Sequence, residues 1–151
     1  MNRLALFLMF ALVACGREPA PPDLKLSHGW ARETVAGQNA AAAYLTIVNN
    51  GAGSDSLVSV SSDASMHAML HSTSMDDGVM RMRPIDGGLA IPSKAAVELS
   101  PGRTHIMLTG LKQPLESGQT FQIRLDFERS ADQDLDIKVL DATAAGSLGA
   151  R

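Results

Sequence analysis

Short alternations of apolar and polar residues run through most of the chain and predict β-strands. The segments 121–127 (FQIRLDF) and 135–140 (LDIKVL) show the pattern most cleanly. Successive side chains of a strand point to opposite faces, so this alternation is typical of strands that bury one face. The predicted strands are 24–35, 40–49, 56–61, 62–74, 79–85, 95–99, 104–108, 121–127 and 135–140. The Ala run at the start of 40–49 could also be helical, and the strand prediction there rests on the residues that follow it. Many short strands separated by Gly, Pro and Asn turns predict an all-β sandwich or barrel.

The segment 62–74 admits two interpretations. As a helix, it would place His67 and His71, four residues apart, on one face. As a strand, it would place His67, Met69 and His71 on one face. We favour the strand, because the neighbouring segments are short strands and residues 76–78 (DDG) are a good signal for a β-hairpin turn.

Both ends of the chain lie outside the predicted globular domain. After a short positive start, an apolar run too short to span a bilayer ends in small residues before the only cysteine, Cys15. This pattern resembles a lipoprotein signal, which predicts a signal peptide at 1–14 and acylation of Cys15. Residues 15–23 then form a Pro-rich tether, 24–141 form one domain, and 142–151 form a flexible tail.

Composition excludes several classes of function. The net charge of −3 becomes −4 when the signal takes Arg3 away, so the chain is not basic enough to bind nucleic acid. One cysteine allows no intramolecular disulfide, and Cys15 lies outside the fold, so a blue-copper site that needs a cysteine ligand is excluded. No Ser/His/Asp set or Cys–His pair stands out, and we expect no enzymatic activity.

Methionine and histidine are concentrated in residues 66–107. Thioether sulfur and neutral imidazole together suit the soft ion Cu(I) best. Taken singly, however, Met66 and Met69 are more simply explained as core residues, and His67 and His28 as exposed or structural ones. Trp30, the only tryptophan, is expected to anchor the core. The cluster comprises Met66, His67, Met69, His71, Met75, Met80, Met82, His105 and Met107.

If the segment is β, a specific geometry follows. His71 stands at the end of one strand, and Met82 stands on the next strand, across the hairpin turn. His105 and Met107 are two residues apart on a third strand, so their side chains point the same way. Three neighbouring strands could then bring two imidazoles and two thioethers to one point.

The spacing of these four residues resembles a known family. Ten residues separate His71 from Met82, twenty-two separate Met82 from His105, and one separates His105 from Met107. Together with the motifs GWAR, AYLTIVNN, DSLV, GVMRMRPI and PGRTHIMLTGL, they resemble the periplasmic copper chaperones called PCu(A)C. The resemblance implies a cupredoxin-like, Ig-like β-sandwich of short antiparallel strands. It also implies that His71, Met82, His105 and Met107 bind Cu(I) for delivery toward the dinuclear copper centre of cytochrome oxidase.

The predicted function is therefore that of an extracytoplasmic Cu(I) chaperone. We expect a monomer held by its lipid on the periplasmic side of a membrane, and Gly16 after Cys15 favours the outer membrane. Its partner would be a copper-accepting protein, either a cytochrome oxidase subunit or another assembly factor. Two alternatives stay open: a periplasmic copper buffer or resistance protein, and a β-sandwich lipoprotein without metal that binds a protein partner.

Overall fold

The structure, a computed structural model, describes residues 20–149. Within that range it contains ten β-strands and one short helix, and the predicted all-β class is confirmed. Every predicted strand is present, and β6 is an additional one. The elements are β1 (Leu24–Arg32), β2 (Ala40–Asn49), β3 (Asp55–Ser62), β4 (Ser65–Asp76), β5 (Val79–Pro84), β6 (Leu89–Ile91), β7 (Ala96–Leu99), β8 (His105–Leu111), β9 (Thr120–Phe127), β10 (Gln133–Leu140) and α1 (Ala142–Gly149).

The strands form one continuous sheet that folds over a shared core. Its order is β5-β4-β8-β2-β1-β10-β9-β3-β6, and β7 joins β2 beside β8. Pairing among the described strands is antiparallel except between β1 and β10, which run parallel. Buried residues from all strands except β5 meet in one hydrophobic cluster, so the sheet is a sandwich rather than an open layer.

Alternating burial along the strands separates the residues that form the core from those on the opposite face of the sheet. In β2, Ala41, Ala43, Leu45 and Ile47 are buried, and the residues between them are only partly covered. Full burial of one aliphatic side chain contributes about 1.5–3 kcal/mol. Because these core positions hold the sheet, the opposite positions of the same strands are available for polar and metal-binding side chains.

The hairpin of β4 and β5 confirms the strand interpretation of residues 62–74. Asp76 pairs with Val79, which leaves Asp77 and Gly78 as a two-residue turn. Their φ angles of 53° and 78° match a type I′ turn, the geometry that Asp-Gly favours. All six residues of β5 are exposed, so the outer part of this hairpin extends beyond the core.

The methionines of β4 do not occupy the core, and this part of the sequence interpretation is wrong. Met69 is 48% exposed because Ala68 and Leu70, its neighbours along the strand, take the positions that face the core. Met66 is 71% exposed and lies over Gly110, where an added Cβ would come within 3.0 Å of its side chain. Gly110 has a φ of 66°, and this local distortion leaves Met66 outside the cluster.

The C-terminal segment, predicted as a flexible tail over 142–151, forms a helix over Ala142–Gly149. Its first turn is capped by Asp141, whose Oδ1 accepts hydrogen bonds from the amides of Thr143 (2.9 Å) and Ala144 (2.8 Å). Ala145 is fully buried. A capped turn with one buried alanine carries too little hydrophobic periodicity to be recognised from the sequence.

The remaining predictions at the chain ends fall outside the described residues. They concern the signal peptide at 1–14, the lipidated Cys15, the first part of the tether and the last two residues of the tail. Within residues 20–149, no helix combines the length and the apolar character needed to cross a bilayer.

Candidate metal centre

Two histidines face each other across adjacent strands. β4 and β8 pair antiparallel, and His71 lies directly opposite His105 in their register. The ring centroids are 5.9 Å apart and the ring planes meet at 69°. Residues opposite each other in a sheet share one face, so both imidazoles project from the same side of it.

His105 presents a ring nitrogen suited to bind a metal ion. The side chain is only 4% exposed, and Nδ1 lies 3.1 Å from the carbonyl oxygen of Arg103. Since a carbonyl can only accept, Nδ1 donates, and neutral His105 carries its lone pair on Nε2. Nε2 is buried and has no hydrogen-bond partner among the described residues. A histidine held by a backbone carbonyl while its other nitrogen stays free is the arrangement that orients metal ligands.

His71 has the same property on the opposite strand. Its Nδ1 is also buried without a partner in the part of the chain that the structure describes. Burial, and secondly the proximity of His105, lower the pKa of His71. A lower pKa favours neutral imidazole, which is the form that binds a metal ion. Burying a nitrogen without a partner is costly, so two such atoms in one place indicate a site rather than a packing fault.

The predicted methionines lie on the same face as the two histidines. Met107 follows His105 by two residues along β8, and Met82 pairs with Thr73, which follows His71 by two residues along β4. The register thus places His71, Met82, His105 and Met107 on one face of three neighbouring strands, and the two histidines lie directly opposite each other. Along β4, Met82 and Met107 lie on opposite sides of the histidine pair, so the structure brings the two imidazoles together and sets one thioether on either side of them.

Met69 belongs to this face as well, as the strand interpretation predicted, although it is not among the four ligands that the family resemblance implies. It lies directly opposite Met107 and two residues before His71 on β4. The alternation of side chains along the strand is the sequence feature that placed Met69 on the face of His71. The sequence did not show that β4 pairs with β8, and this pairing is what sets Met69 opposite Met107.

An aromatic pair borders the site on the β2 side. The ring of Tyr44 lies 6.4 Å from that of His105, and Trp30 packs on Tyr44 with centroids 4.5 Å apart. Burial raises the pKa of Tyr44, an effect that Arg32 partly opposes, so the phenol stays neutral. Trp30 is buried as predicted, but it lies outside the main hydrophobic cluster and supports the site instead.

Two further histidines and two further methionines lie away from the histidine pair along the strands. His67 pairs with Thr109 and is exposed, and His28 is exposed at an irregularity of β1, where Nδ1 contacts Ser27 Oγ at 3.0 Å. Met75 and Met80 pair with each other near the hairpin turn.

The chemistry of the face suits a soft ion. No group of three or more His, Cys, Asp or Glu side chains within residues 20–149 could hold a metal ion. Two neutral imidazoles and several thioethers remain, and this donor set prefers Cu(I) to Zn²⁺, Mg²⁺ or Ca²⁺.

Comparison with known proteins supports this picture at the level of the family. A family model described as "Putative lipoprotein LpqE-like" matches residues 24–139. "Putative lipoprotein Lxx21020" of Leifsonia xyli subsp. xyli is 33% identical over 122 residues, which is 81% of this chain and 72% of that protein. "Uncharacterized protein RP573" of Rickettsia prowazekii is 31% identical over 134 residues, 87% of this chain and 74% of that protein.

Solved structures show the same fold. The apo PCuAC domain from PmoF1 is 28% identical with a TM-score of 0.66 and covers 77% of this chain and 92% of its own. The copper-bound PCuAC domain from PmoF2, 23% identical with a TM-score of 0.66 and coverages of 78% and 92%, shows the fold alone. CuI-DR1885 from Deinococcus radiodurans is 25% identical with a TM-score of 0.57 and coverages of 85% and 83%. The chain therefore belongs to the LpqE-like family and has the cupredoxin-like β-sandwich of PCuAC domains, as the sequence motifs predicted.

Proposed function

We propose that this protein is an extracytoplasmic Cu(I)-binding chaperone. The observation that carries the proposal is the pair of buried ring nitrogens, His71 Nδ1 and His105 Nε2, which have no partner among the described residues and project from one face. One related protein of known structure, DR1885 at 25% identity, is described in its CuI form. Copper is the cargo of such a protein rather than a fixed part of it.

The proposed ligands are His71, Met82, His105 and Met107. Both imidazoles would bind through nitrogens that lose no hydrogen bond, and both thioethers are neutral at every pH. His105 is buried, whereas Met82 is 51% exposed. This gradient supports a mechanism in which the histidines retain the ion and the exposed thioether exchanges first with a ligand of the docked acceptor.

The proposed location and recipient rest on the chain ends and the family. A signal peptide at 1–14, a lipid on Cys15 and the tether at 15–23 would hold the domain on the periplasmic side of a membrane, with the outer membrane favoured. The first strand begins at Leu24, and Pro21 and Asp23 before it already form hydrogen bonds with the domain, so the described part of the predicted tether packs on the domain instead of lying free. The recipient would be a copper-accepting protein, namely a cytochrome oxidase subunit with its dinuclear copper centre or another assembly factor. We propose no catalytic role.

Copper buffering is the second candidate function. Five exposed methionines support it, because each offers a soft donor to solvent; they are Met66, Met69, Met75, Met80 and Met82. The same exposure contradicts one part of the third alternative, a metal-free lipoprotein that binds a protein partner, because these methionines do not lie in the core. A chaperone site binds one Cu(I) tightly, whereas a buffer binds several ions with similar affinity.

An anaerobic titration of the purified protein with Cu(I), against a chromophoric competitor, tests the proposal. We expect one ion to bind tightly enough to withdraw Cu(I) from the competitor. Several ions of equal affinity would establish the buffer instead. Failure to compete at any stoichiometry would remove copper binding as the function.

Substitution of the thioether ligands should weaken binding without affecting the fold. We expect Met82→Leu and Met107→Leu each to lower Cu(I) affinity at least about 10-fold, because loss of a direct ligand should cost no less than loss of an outer-shell partner, which costs about 10- to 100-fold. Met82 is exposed, so its substitution should change the free energy of unfolding by less than about 0.5 kcal/mol. The same competition titration measures the affinity.

Met66→Leu is the matched control for these variants, since Met66 is exposed and lies off the histidine face. Its affinity should equal that of the parent protein. Equal affinities for Met82→Leu and the parent would remove Met82 from the ligand set.

A further inference from the structure

The outer end of the β4–β5 hairpin exposes an unusual amount of thioether surface. Met75 is 64% exposed, Met80 is 63% exposed and Met82 is 51% exposed, although β-hairpins of soluble proteins usually carry polar residues on a face that water covers. Contiguous exposed apolar side chains usually mark a functional surface. The exposed apolar side chains on this face are all methionines, whereas Val79, which is 54% exposed, lies on the opposite face by strand parity, so this face offers sulfur donors in particular.

The turn geometry brings Met75 and Met80 close together. They are directly opposite in the register, one pair away from the Asp76–Val79 pair that flanks the turn. In a hairpin with a two-residue turn, the flanking pair is hydrogen-bonded and the next pair is not. Opposite residues of a non-hydrogen-bonded pair have Cα atoms about 4.5 Å apart, with their side chains closer than in the alternate pairs. Pro84, which has no N–H, fits this alternation, because it occupies a non-hydrogen-bonded position opposite His71.

The charged side chains of the two strands lie on the other face of the hairpin. Asp76 lies 3.7 Å from Arg81 Nε and 3.2 Å from Arg83 Nη2 through its Oδ2 atom. These three residues alternate with Met75, Met80 and Met82, so the strand periodicity separates them from the thioethers. The methionine face of β4 and β5 therefore offers neutral, soft donors without a carboxylate that would attract a hard cation.

We propose that Met75 and Met80 form a second binding site for Cu(I) at the hairpin tip. This tip site lacks imidazole and is open to water, so it should bind more weakly than the histidine pair. The proposal holds whether or not the histidine pair binds copper, since neither donor belongs to the ligand set proposed there.

Met82 links the tip site to the histidine pair. It follows Met80 by two residues on β5 and lies opposite Thr73, which is two residues from His71. A Cu(I) ion held by Met75 and Met80 could thus reach His71 by exchanging one ligand at a time. Each exchange forms one copper–ligand bond and breaks one, and copper stays Cu(I) throughout, so no oxidant or reductant is required.

Titration with Ag(I), a soft ion that is stable in air, tests the tip site. The probe is silver nitrate added to the purified protein, followed through the NMR signals of the methionine ε-methyl groups. We expect two equivalents to bind, and the second to shift the methyl signals of Met75 and Met80. In Met75→Leu/Met80→Leu, the second equivalent should be lost and the first retained with unchanged affinity.

Two further variants make the result decisive. Met66→Leu should still bind two equivalents, because Met66 lies outside both sites. In His71→Ala/His105→Ala the tip site should still bind one equivalent, and this outcome separates failure of the tip site from failure of the proposed copper function. A second equivalent that persists in Met75→Leu/Met80→Leu, or methyl signals of Met75 and Met80 that do not respond to silver, would overturn the proposal.

Discussion

Replacing His105 by alanine is expected to lower Cu(I) affinity at least about 100-fold, the largest functional effect of any single substitution in this protein. His105 is the least exposed of the four proposed ligands, and the carbonyl of Arg103 already fixes its ring with Nε2 free. Because the ring of His105 is already oriented before the ion binds, binding costs little side-chain conformational entropy. The competition titration with Cu(I) measures the loss.

Two comparisons separate ligand loss from damage to the fold. His71→Ala removes the opposing imidazole from a partly exposed position, so it should lower affinity to a similar degree while the thermal unfolding curve changes little. His28→Ala is the matched control, because His28 is exposed on β1 and lies outside the site. Parent-like affinity in both His105→Ala and His71→Ala would exclude the histidine pair as the copper site.

Asp55→Ala is expected to cause the largest loss of stability, about 3 kcal/mol or more, which corresponds to a fall in Tm of roughly 10 °C. Asp55 is 4% exposed. Its Oδ1 accepts hydrogen bonds from the amides of Ser56 (2.8 Å) and Arg129 (2.9 Å), and its Oδ2 accepts one from Ser130 (2.9 Å). The substitution removes the carboxylate acceptor and leaves the three amide N–H groups without this hydrogen-bond partner. The loss of folding free energy is therefore larger than the net contribution of the hydrogen bonds themselves.

The effect should depend on pH. Burial by itself raises the pKa of Asp55, but the hydrogen bonds from Ser130, Ser56 and Arg129 outweigh it and hold the pKa below the ordinary value of 3.8. A carboxyl whose pKa is lower in the folded state stabilises the protein above its unfolded pKa, and this contribution is lost as the pH falls through the folded-state value. The stability difference between parent and variant should therefore be constant near neutral pH and shrink below about pH 4.

Thermal unfolding followed by circular dichroism across this pH range provides the measurement. Asp86→Ala is a suitable control, since Asp86 is an exposed acidic residue and its substitution should change Tm by no more than a degree or two. A variant Asp55→Ala as stable as the parent at pH 7 would show that the three hydrogen bonds contribute no net stability.

The faces of individual strands were predictable because alternation is a local property. The sequence places His71 with Met69 on β4 and His105 with Met107 on β8, and the structure retains both assignments. The Asp77-Gly78 turn was predictable for the same reason, since a type I′ turn depends on residues that tolerate positive φ. The motifs added the family, and with it the cupredoxin-like sandwich.

Burial was harder to predict, because a residue type does not determine its depth. Methionine fills cores in many proteins, and Met66 and Met69 were assigned there on that basis. The burial of Asp55 was not predicted from the sequence, because acidic residues are usually exposed. In addition, two of the three amides that bind its carboxylate belong to residues 74 and 75 positions further along the chain. Such contacts exist only once distant segments are packed together.

The sequence by itself thus determined the strands, the hairpin turn, the parity of each candidate ligand and the family of the chain. The tertiary structure alone decided that β4 lies between β5 and β8, which sets His71 opposite His105 and Met69 opposite Met107. It also decided that five of the six methionines in residues 66–107 face water and that Trp30 and Tyr44 border the site. The physical reason is that alternation depends on neighbouring residues, whereas strand pairing depends on which distant segments bury a common core.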